Sequence, residues 1–381
     1  MQQKRLTQTV TQMRIGAEST GRFCPVLSVF MWFGFSLNIA MQFLTFRAVD
    51  TRYDFKRFAS ESLDKDAILT NYFPGVIIRQ TCILRFSNKS NSGPRRFQMS
   101  VQIIVDSTVD MPDRIKECFR IVPLTVHFGG EEFIDGVTID KARFYERLVE
   151  SDVLPTTSQA TPAAFQKVFE EVTAAGDSAV VITISSKLSG TYQSACIAAA
   201  DFDNIFVVDS MTAAIGSGIL AEYALKLAGA GMSVEQIAEE IEEKKADVCL
   251  IALLDTLEYL KKGGRISKTT AFAGGILNIK PVLTIQDGEV VVIGKARGSK
   301  QGNNLLVEKI HNSGGIDFSM PILLGYSGLS DVFLKKYVED SRALWQEGID
   351  TLDSTLLCSV IGTHTGPGVV AVAFFKKSSA R

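Results

Sequence analysis

Histidine, tryptophan and paired cysteine are scarce in this sequence. Its 381 residues include three histidines, two tryptophans and six cysteines, and no two cysteines form a CxxC pair. The histidines (His127, His311 and His364) are far apart and lack the i, i+4 spacing of metal ligands on one helix. The sequence therefore gives no indication of a metal site, and scattered free thiols are typical of a reducing, cytoplasmic compartment.

Signatures of nucleotide binding and of serine hydrolases are missing as well. The chain has no G-x-x-x-x-G-K-[ST] phosphate loop and no G-x-S-x-G nucleophile elbow. A net charge of −2 gives no electrostatic reason to expect a nucleic-acid partner. A hydrolase that uses Ser189 as nucleophile and His364 as base stays open, because the sequence does not show whether the two residues meet.

Charge divides the chain into two parts. Residues 1–98 carry a balance of +8, whereas residues 99–381 carry −10. The first part shows no regular strand or helix period, and we expect an extension that is disordered or that results from a misplaced start codon before Met99. Its uncharged run Cys24–Phe46 has 23 residues and could cross a bilayer core of roughly 30 Å, so a membrane anchor or a targeting segment is a minor alternative.

From Met99 onward the pattern is regular. Short Val- and Ile-rich runs (Val101–Val105, Ala179–Ser186 and Ile205–Ser210) alternate with amphipathic segments such as Thr161–Gly176. Buried strands between helices predict a parallel sheet covered on both faces. Thr161 is placed to cap a helix that has Pro162 at its first position.

The remaining chain has a different organisation. "PVLTIQDGEVVVIGKAR" (Pro281–Arg297) predicts a hairpin with Asp287-Gly288 at its turn, and further strands and helices follow it. We therefore predict an α/β protein of two domains, an N-terminal α/β domain (99–255) with a parallel sheet and a C-terminal α+β domain (256–381) with a mixed or antiparallel sheet.

Hydroxyl-bearing residues follow the predicted strands. Such clusters lie at Asp106–Thr108, in "SSKLSGTYQSA" (Ser185–Ala195), at Asp209–Thr212, and at Thr156–Ser158 before the Thr161 cap. Because ligands of parallel sheets bind beyond the carboxyl ends of the strands, these clusters predict an anion site that also uses helix N-termini. Singly, each Ser or Thr is equally explained as a cap or turn residue.

Six segments, in this order and spacing, carry a family resemblance. They are "IIVDSTVDMP" (103–112), "TTSQATP" (156–162), "ISSKLSGTYQSA" (184–195), "VDS" (208–210), "LEYLKKGGRIS" (257–267) and "IGTHTGPGVVAV" (361–372). Together they resemble the DegV family of bacterial fatty-acid-binding proteins over residues 101–377. Ala160 departs from the family pattern, in which proline often follows the T-S-Q run, so the shape of this loop is open.

The resemblance implies one long-chain fatty acid in an apolar tunnel between the two domains. Its carboxylate would be held by Thr157 and Ser189, with Ser158, Gly190, His364 and Thr365 nearby, the last two in a Gly-rich loop between two strands. Arg265 would lie at the rim and contact the head group or a partner. The alternatives are a turn histidine bonded to backbone and a solvated arginine at a helix end.

The resemblance also implies a partner. Family members present the fatty acid to a separate ATP-dependent fatty-acid kinase, which makes an acyl phosphate for phospholipid synthesis. On this basis we expect a cytoplasmic, monomeric carrier that needs no cofactor, makes at most transient contact with a membrane, and performs catalysis only together with the kinase.

Overall fold

A computed structural model describes residues 100–266, 279–345 and 352–377 of the chain. The predicted extension 1–98 and its apolar run Cys24–Phe46 lie outside these residues. Within the described ranges, every helix is too short or too polar to cross a membrane.

The described residues form strands in three sheets, joined by helices. The strands are β1 (Val101–Asp106), β2 (Phe119–Val122), β3 (Thr125–Phe128), β4 (Glu131–Ile134), β5 (Thr156–Ser158), β6 (Ser178–Thr183), β7 (Ile205–Asp209), β8 (Val248–Leu253), β9 (Ile279–Gln286), β10 (Glu289–Arg297), β11 (Leu323–Tyr326), β12 (Asp353–Leu356) and β13 (Val370–Phe375). The α-helices are α1 (Lys141–Glu150), α2 (Pro162–Ala174), α3 (Thr191–Ala199), α4 (Ile215–Gly229), α5 (Val234–Lys244), α6 (Glu258–Lys262), α7 (Gly298–Asn312), α8 (Val332–Asp340) and α9 (Ser359–Thr365). Short 3-10 helices lie at Asp113–Cys118, Lys245–Asp247 and Arg342–Leu344.

The first sheet is parallel, as the sequence predicts. Its four strands run in the order β2-β1-β6-β7, and all six residues of β6 are buried. Continuous burial explains why β6 has an unbroken apolar run in the sequence. Thr161 caps α2 by accepting a hydrogen bond from the Ala164 backbone N–H, and Pro162 opens that helix.

The second sheet is mixed, with six strands in the order β10-β9-β8-β13-β11-β12. Only its β11–β12 pair is parallel. The predicted hairpin turn is confirmed, since Asp287 and Gly288 have φ angles of 50° and 81°, the left-handed pair that a two-residue turn requires. Along β13, alternate side chains enter two separate clusters, one toward the first sheet and one toward α7 and α8.

A third, three-stranded sheet in the order β4-β3-β5 carries Thr157. Thr157 on β5 is paired with Val126 on β3, which is fully buried. Thr157 is thus fixed by a strand ladder, a more rigid support than the loop that the sequence suggests.

His364 and Thr365 lie on a helix, which corrects the prediction that they occupy a loop between two strands. The seven-residue helix α9 comes before the Gly366–Gly368 turn that leads into β13. Its sequence "SVIGTHT" has β-branched residues and a glycine, which disfavour helix in isolation. Tertiary contacts decide the outcome, since Gly362 packs against Phe144 and Tyr145 of α1.

The domain boundary near residue 255 stays a prediction. It falls just after β8, and β8 lies inside the second sheet between β9 and β13. By their contacts, the described residues all belong to one compact unit.

The close packing of α9 on α1 gives a first test. A Cβ atom on Gly362 would lie 2.6 Å from Phe144 Cε1 and 2.6 Å from Tyr145 Oη, so Gly362→Ala should lower the free energy of unfolding by about 1–3 kcal/mol through overpacking. At Gly229, the last residue of α4, a Cβ meets nothing within 4 Å, and Gly229→Ala should be neutral or stabilising. Urea unfolding of both variants measures the difference; equal effects would contradict this account of α9.

Candidate functional site

A cavity of about 370 Å³ lies between the first and second sheets. On one side it is lined by residues that come directly after strands of the parallel sheet, among them Thr108 after β1, Leu124 after β2 and Ile184 after β6. Sites of parallel sheets form in this position, because the loops at the carboxyl ends of the strands diverge there.

Most of the cavity wall is apolar. The second sheet supplies alternate residues of four adjacent strands, and helix and loop residues complete the wall: Leu250, Ala252, Leu254, Leu283, Ile285, Val290, Ala371, Leu188, Ala213, Ala214, Leu260, Leu357, Val360, Ile361 and Val369. No acidic side chain is found among the lining residues that the structure describes.

Polar lining residues come from five separate segments of the chain. The structure places all seven of the predicted site residues in the wall of this single cavity: Thr157, Ser158, Ser189, Gly190, Arg265, His364 and Thr365. Their roles toward a ligand remain predictions, but their convergence does not depend on any ligand.

Thr157 and His364 form the central contact of this polar group. The hydroxyl oxygen of Thr157 lies 2.9 Å from Nε2 of His364. Burial, together with the nearby Arg265 guanidinium, lowers the pKa of His364 to about 4, so the imidazole is uncharged at neutral pH. Its other nitrogen, Nδ1, is buried without a hydrogen-bond partner among the described residues. Gly263 lies against this nitrogen, since a Cβ atom on Gly263 would be only 2.2 Å from His364 Nδ1.

Ser189 lies beside the start of α3. Its hydroxyl oxygen accepts a hydrogen bond from the Thr191 backbone N–H at 3.3 Å, and it is 2.9 Å from the Thr191 hydroxyl oxygen. Ser189 and Gly190 therefore occupy the positive end of the α3 dipole, where an anion is favoured.

Arg265 ties two site loops together. Its Nε donates to the Leu188 carbonyl at 3.1 Å, and its Nη1 donates to the Gly263 carbonyl at 2.7 Å. This arginine is thus fixed by backbone acceptors beside Ser189 and His364, and the predicted alternative of a fully solvated side chain does not describe it.

A buried carboxylate organises the strand ends. Asp106, at the end of β1, accepts hydrogen bonds from the backbone N–H groups of Thr108 at 2.8 Å and Ile184 at 2.7 Å. Burial raises the pKa of Asp106 to about 6 in spite of these bonds. Asp106 thereby holds two lining residues in place from behind the cavity wall.

Gln159 and Thr108 also line the cavity, although neither is among the seven predicted site residues. Gln159 donates from Nε2 to the Ser194 hydroxyl oxygen at 2.9 Å and so joins the T-S-Q segment to α3. Its position in the sequence, directly after Thr157 and Ser158, was the signal from which its place in the site could have been predicted. Thr108 stands in the first strand-end cluster, where it reads as a turn residue.

Comparison with known proteins assigns the family. The sequence model of the DegV family, whose description is that of an uncharacterised protein family, matches residues 100–377. The chain belongs to the DegV family. A DegV domain-containing protein of Caldanaerobacter subterraneus subsp. tengcongensis is 37% identical over 284 residues, which cover 73% of this chain and 99% of that relative.

Solved DegV structures share the fold and bind fatty acids. A fatty-acid-binding DegV protein of Thermus thermophilus is 32% identical, with a TM-score of 0.63, and the match covers 73% of this chain and 100% of that one. DegV of Bacillus subtilis, described as a fatty acid binding protein, is 30% identical with a TM-score of 0.63 over 73% and 100% of the two chains. The two-domain α/β fold that the sequence pattern predicts is confirmed.

The pKa of His364 gives a pH prediction. Unfolded, this imidazole titrates at its ordinary value of 6.5, whereas in the folded chain its pKa is about 4. Between these values the unfolded chain binds a proton that the folded chain does not, so stability falls as the pH decreases through the window, by up to about 1.4 kcal/mol per pH unit. Below the folded pKa the loss is complete.

Urea unfolding of the protein and of His364→Asn across that window measures this contribution. The difference in free energy between the two proteins should change with pH in the stated direction, and the contribution of Asp106, which has the opposite sign, cancels because both proteins contain it. A difference that is constant with pH would show that His364 is not held uncharged.

Proposed function

We propose that this chain binds one long-chain fatty acid in the cavity, with the acyl chain along the apolar wall and the carboxylate at the polar group. The observation that carries the proposal is the division of one cavity into an extensive apolar wall and a compact set of neutral donors around Thr157, Ser189 and His364. The fatty acids bound by solved DegV relatives support it.

The apolar wall accounts for affinity without any sequence motif. Each CH₂ group that leaves water contributes about 0.8 kcal/mol. The wall offers aliphatic side chains from β8, β9 and β13 and no acidic group among the described lining residues, so it favours a hydrocarbon chain and does not repel an anionic end.

The carboxylate sets the direction of the hydrogen bonds. An ionised carboxylate only accepts, so Thr157 must donate its hydroxyl proton to the ligand. His364 then has to donate from Nε2 to the Thr157 oxygen, 2.9 Å away. The uncharged imidazole can do so in its Nε2–H form, and it acts here by orienting Thr157. Ser189 and the start of α3 supply further donors, which burial of a charge requires.

The bound acid would then be presented to a separate ATP-dependent fatty-acid kinase in the cytoplasm. In that step a carboxylate oxygen attacks the γ-phosphorus of ATP, and the bond between that phosphorus and the oxygen that bridges it to the β-phosphate breaks. ADP is the leaving group, and the product is an acyl phosphate for phospholipid synthesis. The sequence has no phosphate loop of its own, which fits a carrier that depends on a separate kinase to bind ATP. We propose that the carrier acts as a monomer. Arg265 would meet the kinase or the phosphorylated head group.

The rival function, an acyl-ester or acyl-phosphate hydrolase, needs a hydrogen bond between Ser189 and His364. The described contacts join Ser189 to Thr191 and His364 to Thr157 instead. His364 Nδ1 also has no orienting acid among the described residues. The geometry thus favours a carrier.

Loss of the two hydroxyls tests the ligand assignment. Thr157→Val and Ser189→Ala should each lower affinity for palmitate about ten- to hundredfold, since each removes a hydrogen bond to a charged group worth about 1.5–3 kcal/mol. Native mass spectrometry of residues 99–381, followed by organic extraction, measures the bound acid and its stoichiometry.

Matched controls are Thr156, next to Thr157, and Ser186, three residues before Ser189. Thr156→Val and Ser186→Ala change exposed neighbours that do not line the cavity, and their fatty-acid content should equal that of the unchanged protein. A protein that carries no fatty acid, or one whose content is the same in all four variants, would refute the proposal. Turnover of acyl esters or acyl phosphates by the isolated protein would favour the hydrolase.

Arg265 gives a separate test of presentation. Arg265→Ala should lower the rate of acyl-phosphate formation from palmitate-loaded protein and the kinase at least about tenfold. Because Arg265 also holds the Leu188 and Gly263 carbonyls of the site loops, the rates are compared at equal amounts of bound palmitate. Lys262→Ala is the control, since Lys262 is an exposed cation at the end of α6 that pairs with Glu258. Equal rates for Arg265→Ala and Lys262→Ala would exclude the role.

A further inference from the structure

Two buried carboxylates hold the start of α9, the helix that carries His364. Asp110 accepts a hydrogen bond from the Cys358 backbone N–H at 3.1 Å, and Asp135 accepts one from the Ser359 backbone N–H at 3.2 Å. The two aspartates are only 1% and 3% exposed. Neither of them lines the cavity, so a direct ligand contact does not explain them.

Asp110 is paired with a lysine that also donates a hydrogen bond to the backbone just before α9. Lys141 Nζ lies 2.7 Å from Asp110 Oδ1 and donates to the Leu356 carbonyl at 2.6 Å. The ammonium group therefore balances the buried carboxylate, and it fixes the backbone two residues before Cys358.

Hydrogen bonds connect both ends of α9 to the three-stranded sheet. Asp135 directly follows β4, and Thr157 lies on β5 of the same three-stranded sheet. Asp135 bonds the first turn of α9, while Thr157 bonds His364 in its last turn. Both ends of α9 are thus attached to one small sheet.

The length of α9 makes these attachments decisive. With seven residues the helix is roughly 10 Å long and too short to be stable alone. A shift at its first turn is transmitted to the other end as a shift of His364 against Thr157.

We propose that Asp135 and the Asp110–Lys141 pair are positioning residues, which place His364 so that it orients Thr157 toward a bound carboxylate. The affinity part of this inference rests on the proposed function. The placement of His364 itself can be measured without a ligand.

Asp135→Ala removes the acceptor for the Ser359 N–H, whereas Asp135→Asn keeps an acceptor oxygen and serves as the conservative rescue. The ring signals of His364 are read by NMR, and His364→Asn assigns them among only three histidines. In Asp135→Ala we expect the His364 pKa to rise from about 4 toward 6.5 and palmitate affinity to fall about tenfold. Asp135→Asn should resemble the unchanged protein in both respects.

A second variant tests the ion pair. Asp110→Asn combined with Lys141→Met removes both members of the pair together, so that neither is left buried without the other. It should move the His364 signals in the same direction as Asp135→Ala. Leu334→Ala controls for lost stability, because Leu334 is buried on the other face of the second sheet, and it should change neither the His364 titration nor the affinity.

The outcomes distinguish failure of the positioning role from failure of the proposed fatty-acid binding. His364 signals that stay unchanged in Asp135→Ala and in the double variant would overturn the positioning role, whatever happens to affinity. A shift equal to that in Leu334→Ala would overturn it too, as a mere stability effect. If the unchanged protein fails to bind palmitate, the proposed function fails, and the His364 titration alone decides the inference.

Discussion

The hydrogen bond between Thr157 and His364 is the interaction on which the candidate site depends. It joins residues 207 positions apart in the chain, one on a three-stranded sheet and the other on a helix that leads into the six-stranded sheet. Such a hydrogen bond can orient a ligand-binding hydroxyl only if both partners are rigidly supported. The strand ladder behind Thr157 and the packing of Gly362 on α1 supply that support.

The cavity itself follows from the way two sheets meet. The parallel sheet ends in loops rich in backbone N–H groups and hydroxyls, and the mixed sheet turns one face of small and aliphatic side chains toward them. Asp106 fixes the loops from behind, and the β9–β10 turn touches them where the Ser185 hydroxyl donates to the Gly288 carbonyl at 2.8 Å. A boundary between a polar and an apolar surface suits a ligand that has one charged end and a long hydrocarbon chain.

Much of this arrangement could be predicted from sequence. Apolar runs identified three of the four parallel strands (β1, β6 and β7) but not β2. Asp287-Gly288 identified the hairpin, and the Thr161-Pro162 pair identified the start of α2. These signals are local, so the chain expresses them within a few residues. The site residues were found in a different way, through family motifs whose members converge only in the fold.

The helical state of the His364 segment could not be predicted in this way. Its composition favours a strand or a loop, and what makes it a helix is a set of distant partners. Asp110 and Asp135 precede Cys358 by more than two hundred residues, and a single aspartate in a strand-end loop reads as a turn residue. Long-range hydrogen bonds to buried carboxylates leave no periodic pattern, which is why local propensity gave the wrong answer here.

Three donors of the polar group, the Thr157 and Ser189 hydroxyls and the His364 imidazole, are uncharged, which has a chemical consequence for the proposed transfer. A carboxylate held by a close arginine or lysine would be stabilised strongly as an anion and would lose nucleophilicity. Hydroxyls and an uncharged imidazole stabilise it through hydrogen bonds and neutralise less of its charge. The Arg265 guanidinium is meanwhile occupied by the carbonyls of Leu188 and Gly263. A carrier of this design can bury the acid end and still leave it reactive toward a phosphorus atom that another protein supplies.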